Sequence, residues 1–250
     1  MSGGYSAFAY FYDALTGNIS YKERADYFDR LIKKHGGQKG VLLDLACGTG
    51  SLSEEMSRLG YDVIGVDGSV DMLSEAMNKK IESGLDIQYI CQDMTELDLY
   101  GNVDVTVCAL DSLNHLSTAE DIEKAIASVS LFTEIGGLFI FDVNTPYKHE
   151  HVLGNNTFVY DVDEVYCVWQ NSFLGGSDNK VEITLDFFEN EDGSYQRYGE
   201  EFAEIALSRE TIEKMLSDHG MEAAACYNYD TEDQPSETSE KLVFVAKKIK

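Results

Sequence analysis

The chain has 250 residues, 44% hydrophobic and 11% aromatic, which is enough for a sizeable core in one domain or in one domain with an insertion. With 45 acidic and 19 basic residues, its formal net charge is −26. Such a surface repels phosphate backbones at long range, so nucleic acid is disfavoured as a substrate and neutral or cationic small molecules are favoured. The same charge is also typical of a chain that is simply very soluble.

The sequence contains neither an apolar run long enough to span a membrane nor the pattern of a signal peptide. Its five cysteines are scattered and lack the paired spacing of a zinc site, which favours reduced thiols over disulfides. We therefore expect a cytoplasmic protein without membrane contact.

Helices and short apolar runs alternate over the first part of the chain. Apolar residues at helical spacing lead up to His35, and later apolar stripes predict helices that end at Gly60, at Gly84 and at Gly136-Gly137. Short runs suited to buried strands lie at 41–45, 62–67, 87–90, 103–110 and 138–141. This alternation predicts right-handed crossovers and an α/β fold with a doubly wound, Rossmann-like, mostly parallel sheet.

The pattern changes after Pro146. Segments rich in β-branched and aromatic residues predict an inserted antiparallel β meander, and they lie around 157–162, 165–173, 180–189 and 195–207. A helix and two strands around 222–229 and 241–248 then complete a seven-stranded sheet, with a mobile polar loop expected at 231–239. The expected division is N-terminal helices and α/β core in 1–145, insertion in 146–207, and closing helix and strands in 208–250.

The first predicted strand leads into the glycine loop, which we define as residues 44–50 (Asp-Leu-Ala-Cys-Gly-Thr-Gly). Its glycines let a ligand approach the backbone closely, and the helix that follows presents free N–H groups. Asp67 ends the second strand, at the place where an acid accepts hydrogen bonds from ribose hydroxyls. Asp44 is well placed to capture an ammonium group. Taken alone, Asp67 is also compatible with a helix-entry cap.

Two other phosphate-binding patterns compete for the glycine loop. A dinucleotide dehydrogenase needs a third glycine for close packing of helix and strand, and Ser53 stands at that position. A P-loop needs a phosphate-binding lysine after the loop, and none follows. Both classes are disfavoured, although the loop alone could serve several nucleotide cofactors.

Three segments together resemble a known family. Residues 43–50 are similar to motif I of class I S-adenosylmethionine-dependent methyltransferases, 66–73 resemble the next motif, and 92–94 resemble the one after it. This resemblance covers about residues 40–145 and implies that S-adenosylmethionine is the cofactor. In the family, motif I lines the amino-acid and sulfonium part, the acid takes the ribose and the third motif faces the adenine. The cofactor-binding residues thus implied are Asp44, Ala46, Cys47, Gly48, Gly50, Asp67, Gly68, Met72, Gln92, Asp93, Met94 and Leu110.

Polar residues follow directly after Leu110, where the fourth strand ends. Ligands of open α/β sheets lie beyond the carboxyl ends of the strands, so residues 111–115 are expected near the transferred methyl group. His115 is the best candidate for a base, because imidazole in water titrates near neutral pH. A structural histidine that bonds a loop carbonyl is the alternative. Residues 111–116 resemble bacterial sugar N-methyltransferases, which have a histidine at the matching place.

Aromatic residues are frequent near the N-terminus, at Tyr5, Tyr10, Phe11, Tyr12 and Tyr21. In relatives with a similar helix, aromatic residues close over the cofactor, and an aromatic face suits a sulfonium cation. Tyr12-Asp13 resembles a Tyr-Asp pair common in that segment. The resemblance therefore implies Tyr12 and Tyr21 as cofactor contacts, and Tyr12 together with His115 as catalytic residues. For Tyr10 and Phe11 we favour simple packing on the sheet.

Two further features bear on the reaction. Asp111, Asp142 and Asn144 are of the types that hold magnesium in catechol O-methyltransferases, but Val143 separates the acid and amide that are adjacent in that pattern, so we expect no metal. The insertion lies where related small-molecule methyltransferases carry a substrate lid. The aromatic residues that could line such a lid are Tyr166, Trp169, Phe173 and Tyr198.

Residues and resemblance together predict an S-adenosylmethionine-dependent methyltransferase that acts on a small-molecule nitrogen or oxygen acceptor. Two alternatives stay open. An RNA-modifying methyltransferase would need a basic rim around the cleft, against the net charge of −26. A non-catalytic S-adenosylmethionine-binding protein would act through a partner. The sequence identifies neither the acceptor nor the oligomeric state.

Overall fold

A computed structural model of the protein describes residues 11–12, 15–17, 19–162, 165–191 and 193–250. Tyr5, Tyr10 and Asp13 lie outside these residues. The α-helices described are α1 (Tyr21–Lys34), α2 (Ser51–Arg58), α3 (Val70–Ser83), α4 (Ala119–Phe132) and α5 (Arg209–Asp218). The strands are β1 (Val41–Leu45), β2 (Asp62–Asp67), β3 (Ile87–Cys91), β4 (Val103–Cys108), β5 (Thr133–Asn144), β6 (Thr157–Val162), β7 (Val165–Gly175), β8 (Lys180–Glu191), β9 (Ser194–Glu204), β10 (Met221–Asn228) and β11 (Lys241–Lys248).

Seven strands form one sheet in the order β10-β11-β5-β4-β1-β2-β3. The pairs from β5 to β3 are parallel, and β11 runs antiparallel to both of its neighbours. The predicted doubly wound, mostly parallel seven-stranded sheet is confirmed. Because β1, β2, β4 and β5 are parallel, their carboxyl ends meet at one edge of the sheet, where open α/β folds bind ligands.

Helices cover both faces of this sheet. On one face, Phe28 and Leu31 of α1 pack with Leu42 and Val105 of the central strands. On the other face, α4 and α5 pack against a cluster that contains Phe139, Phe141 and Phe244. Burial of each large apolar side chain stabilises the fold by roughly 1.5–3 kcal/mol. The packed core on both faces therefore holds the strand ends in fixed positions.

The end of α4 differs from the prediction. Thr133 is already extended, and its hydroxyl donates to the Val129 carbonyl at the end of the helix. β5 begins there and pairs Thr133 with Val103, before a register shift that contains Gly136 and Gly137. The helix therefore ends at Phe132 because strand pairing begins, and the two glycines lie inside the strand instead of ending the helix.

The four strands of the insertion form a separate antiparallel sheet in the order β6-β7-β8-β9. In β8, Val181, Ile183, Leu185 and Phe187 are buried and alternate with more exposed residues, as the sequence pattern predicted. Phe11 is buried against this sheet, with its ring 5.0 Å from that of Phe187. Its expected packing is thus found, but on the antiparallel sheet. Trp169 and Phe173 pack on the same cluster.

The loop between β10 and β11 is held to α1 at its first residues. Arg24 pairs with Asp230 at 2.8 Å, the Tyr27 hydroxyl donates to the Thr231 carbonyl, and Lys34 pairs with Glu232. These contacts anchor one end of the loop that the sequence predicted to be mobile. Among the described residues, no helix combines the length and the apolar character needed to cross a membrane.

Candidate active site

The glycine loop is shaped by backbone conformation. Ala46, Gly48 and Gly50 all have positive φ angles, of 57°, 54° and 77°. The Cys47 amide donates to the Val66 carbonyl at 3.0 Å, and the Gly48 amide donates to the Asp67 carboxylate at 2.8 Å. These bonds fold the loop back over the end of β2. The loop and Asp67 therefore form one unit, as their spacing in the sequence suggested.

The two glycines of the loop serve different purposes. A Cβ at Gly50 would overlap the Tyr89 hydroxyl, so the packing of Tyr89 against the loop excludes any side chain at this position. A Cβ at Gly48 would meet only the Met72 sulfur at 4.0 Å, so the space above this residue is open. α2 begins behind Gly50 without a side-chain cap, whereas Ser or Thr caps the other α-helices described. An uncapped helix start is suited to binding a ligand, although the Ser53 amide in the first turn of α2 already donates to the Asp44 carboxylate.

Ser53 explains why a third glycine is absent. Its hydroxyl donates to the Asp44 carboxylate at 2.5 Å, and both side chains are buried. Burial raises the pKa of Asp44 to about 7, and the bond from Ser53 opposes this rise. In the sequence, Ser53 was notable only because it stands where the dinucleotide-binding pattern has its third glycine. In the structure, Ser53 is the hydrogen-bond partner of a buried acid.

Asp67 accepts from two backbone amides, those of Gly48 and Ser69, each at 2.8 Å. The helix-entry cap that we considered as an alternative role for Asp67 belongs to Ser69, whose side chain accepts from the Met72 amide, so Asp67 bonds the cap residue and the glycine loop instead. Burial raises the pKa of Asp67, while these amides and the charge of His115 oppose the rise. Met72 is buried beside the loop.

The third motif lies after β3 and is fixed by local hydrogen bonds. The Gln92 side chain exchanges two bonds with the backbone of Asp98, at 2.9 and 3.1 Å. Asp93 is exposed and accepts from the amide and hydroxyl of Thr95. Met94 is half-buried on the core. A local structural role is therefore present for both Gln92 and Asp93, beside any contact with a ligand.

A second set of side chains lies at the carboxyl ends of β4 and β5. Leu110 and Asp111 have positive φ angles of 58° and 54°, an uncommon pair for non-glycine residues. Both of their amides donate to the buried carboxylate of Asp142, at 2.8 and 2.9 Å. Asp142 thus holds the strained turn that carries the chain towards His115.

Lys241, the first residue of β11, neutralises these acids. Its ammonium lies 2.6 Å from Asp111 and 3.7 Å from Asp142. Burial alone would raise the pKa of Asp111, but Lys241 and Lys148 outweigh it and hold that pKa well below its usual range. The ammonium therefore stands where the magnesium pattern would place a cation. The described residues contain no group of three or more His, Cys, Asp and Glu side chains suited to a metal ion.

Asn144 links the core to the antiparallel sheet. Its amide donates to Asp111 at 2.6 Å and to Glu204 of β9 at 2.9 Å. His115 lies beside them, with Nε2 3.6 Å from a Glu204 oxygen and its ring 5.1 Å from that of Phe202. We call Asp111, His115, Asp142, Asn144, Glu204 and Lys241 the polar cluster. The sequence did not identify Glu204 and Lys241 as site residues. An isolated charged residue in a predicted strand is normally expected to face solvent.

The N-terminal aromatic residues lie close to α1 and the insertion. The Tyr21 hydroxyl donates to Thr16 at 3.3 Å, and the Thr16 amide bonds the Tyr12 carbonyl at 2.9 Å. Tyr198 of β9 packs on Phe11 at 5.5 Å between ring centres. Tyr12 and Tyr21 thus belong to one short segment, and their predicted contacts with a cofactor stay predictions.

Comparison with known proteins decides the family. A model of the methyltransferase domain matches residues 42–137. YqeM of Bacillus subtilis (strain 168), itself an inferred methyltransferase, is 33% identical over 247 residues, which are 98% of each chain. A crystal structure of an S-adenosylmethionine-dependent methyltransferase from Clostridium acetobutylicum ATCC 824 is 34% identical, covers 98% of this chain and 99% of that one, and has a TM-score of 0.89.

The chain is an S-adenosylmethionine-dependent methyltransferase. The matched range contains the glycine loop, Asp67 and the third motif of this methyltransferase. A more distant structure, an amino pentose methyltransferase from Micromonospora echinaspora with S-adenosylmethionine bound, has 19% identity, 96% coverage of both chains and a TM-score of 0.75. At that identity the likeness concerns the fold, which extends over the insertion as well.

Proposed function

We propose that this methyltransferase acts on the nitrogen of a small polar molecule. The observation that carries the proposal is the shared sheet edge: the glycine loop and Asp67 lie beside a cluster that offers a histidine and several carboxylates. Carboxylates hold a cationic amine in place before transfer, and a histidine accepts its proton. A distant structural neighbour that acts on an amino pentose supports the same class of acceptor.

The glycine loop fits the cofactor. Space is open above Gly48, where a Cβ would meet only the Met72 sulfur, and above Gly68, where it would meet only a carbonyl at 3.9 Å. We propose that Asp44 holds the ammonium group, that Asp67 accepts the ribose hydroxyls and that Asp93-Met94 contacts the adenine. The other cofactor contacts proposed are Tyr12, Tyr21, Ala46, Cys47, Gly48, Gly50, Gly68, Met72, Gln92 and Leu110. S-adenosylmethionine, when bound, supplies the methyl group on a sulfonium.

The acceptor would enter through a cavity of about 610 Å³ beside the polar cluster. Lys148 and Lys241 are part of its lining, and Lys241 contacts the polar cluster directly. The remaining lining is rich in hydroxyl, amide and carboxylate groups and contains Asn228, Tyr229, Asp233, Gln234, Ser236, Thr238, Ser239 and Glu240. A cavity of this size and polarity suits a small hydrogen-bonding molecule.

The test is transfer of a tritiated methyl group from S-adenosylmethionine to paired acceptors. Amino sugars and other small amines are compared with the matching alcohols and with total RNA. We expect incorporation into amines, and a loss of about 2–3 kcal/mol in cofactor binding for Asp67→Ala by calorimetry. The exposed neighbour variant Asp71→Ala should bind as the wild type does. Incorporation only into alcohols or RNA, or no cofactor binding by the wild type, would refute the proposal.

We also propose that the protein is located in the cytoplasm. All five cysteines are free thiols in the structure, as expected in a reducing compartment.

A further inference from the structure

Glu204 is a buried carboxylate held between two histidines. It ends β9 of the antiparallel sheet and is 3% exposed. One oxygen lies 3.6 Å from Nε2 of His115, and the other lies 3.5 Å from Nε2 of His149 and accepts from Asn144 at 2.9 Å. A carboxylate is costly to bury unless it is paired, so its position at this edge needs a cation nearby.

The hydrogen bonds constrain where protons lie. The ring of His149 is fully buried, and its Nδ1 lies 2.7 Å from the Asn179 carbonyl, which can only accept. Nδ1 of His149 therefore carries a proton, and Nε2 faces Glu204. In His115 it is also Nε2 that faces Glu204, so the carboxylate favours the form with Nε2 protonated. The lone pair is then on Nδ1 of His115.

We infer that Glu204 is the positioning residue of His115: it orients the imidazole and stabilises the protonated ring that forms when the acceptor nitrogen gives up its proton. This inference rests on the proposed amine acceptor. In that step the N–H bond of the acceptor breaks, its electron pair stays on nitrogen, and the proton joins Nδ1 of His115. The antiparallel sheet would thereby supply part of the catalytic site as well as covering it.

Other charges face this pair. Asp67 and Asp111 both sense the charge of His115, and Lys148 senses that of Glu204. Lys148 and a protonated His149 would weaken the effect of Glu204 on His115, whereas Asp67 and Asp111 would add to it. Two unit charges less than 4 Å apart still interact by an amount that moves a titration midpoint by about one pH unit, even with water-like screening.

The decisive measurement is NMR titration of the histidine rings, which needs no acceptor. The signal of His115 is assigned by its absence in His115→Gln. We expect the midpoint of its titration to fall by about one pH unit in Glu204→Gln and to stay unchanged in the matched variant Glu201→Gln, whose side chain is exposed on the same strand. In Glu204→Asp the charge is kept but withdrawn by one methylene, so a smaller shift in the same direction is expected.

Midpoints equal to the wild type in both Glu204 variants would overturn the inference. If Glu204→Gln does not fold, Glu204→Asp alone still tests it. With an amine acceptor, kcat of Glu204→Gln should fall about tenfold with KM nearly unchanged, and the acid limb of the pH profile should move with the NMR midpoint. If the midpoint moves but the wild type methylates no amine, the pairing stands and the proposed function fails. If amines are methylated but the His115 midpoint does not move in the Glu204 variants, the proposed function stands and the role of Glu204 fails.

Discussion

The glycine loop and the polar cluster lie at the same sheet edge but are built differently. The glycine loop comes from one stretch of chain, and backbone bonds such as that from Cys47 to Val66 give it its shape. The polar cluster comes from four separate parts of the chain, and ion pairs between side chains hold it together, with Lys241 against Asp111 as the shortest. The loop should therefore be sensitive to steric change, and the cluster to loss of charge.

The largest expected effect is on the cluster. Lys241→Met leaves the partly buried carboxylate of Asp111 and the buried carboxylate of Asp142 without their nearest cation, which should cost about 3–5 kcal/mol in free energy of unfolding at pH 7. Without Lys241, the pKa of each carboxyl in the folded state should lie above its unfolded value. Such groups stabilise the fold at low pH and lose that effect as the pH rises, so the deficit should shrink between pH 7 and pH 5.

Urea unfolding at both pH values checks this prediction. Lys247→Met, on the same strand and without a buried acid partner among the described residues, is the matched control and should change the unfolding free energy by less than about 1 kcal/mol. A deficit for Lys241→Met that is equally small, or that grows towards pH 5, would contradict the view that the cluster depends on charge.

This contrast also explains what the sequence could predict. The strands at 41–45 and 62–67, the glycine loop and Asp67 are close together in the chain, and their chemistry is local. Glu204 and Lys241 become part of the site only because the insertion and the last strand bring them to the sheet edge. The end of α4 at Phe132 was missed for a similar reason, because pairing of Thr133 with Val103 is a tertiary contact.

The next effect concerns the glycine loop. Gly50→Ala combines a positive φ angle with a clash against Tyr89, so we expect a loss of about 2–4 kcal/mol in unfolding free energy. Gly84→Ala has a similar φ angle of 68° but no atom within 4 Å of the new Cβ, so it should lose only about 1–2 kcal/mol. Equal losses in the two variants would show that the packing against Tyr89 is not important.

The smallest expected effect concerns Asp44, a titratable residue inside the glycine loop. It limits the contrast between the two regions, because here the glycine loop also depends on charge. Burial raises the pKa of Asp44 to about 7, so in the free protein the carboxyl becomes increasingly protonated as the pH falls below 7. If the ionised form holds the ammonium group of S-adenosylmethionine, binding must release that proton. Affinity should then fall about 25-fold between pH 7.5 and pH 5.5, because the cost of ionisation grows with each unit below the pKa.

Calorimetry in buffers of different ionisation enthalpy measures both the affinity and the released proton. Asp44→Asn should bind weakly with little pH dependence, whereas Asp62→Asn, an exposed acid at the start of β2, should follow the wild type. Ser53→Ala removes the hydroxyl that opposes the rise in pKa, so its affinity should begin to fall at a higher pH than in the wild type. A wild-type affinity independent of pH over this range would mean that Asp44 keeps the same protonation state when the cofactor binds, which would contradict the predicted coupling between ionisation of Asp44 and cofactor binding.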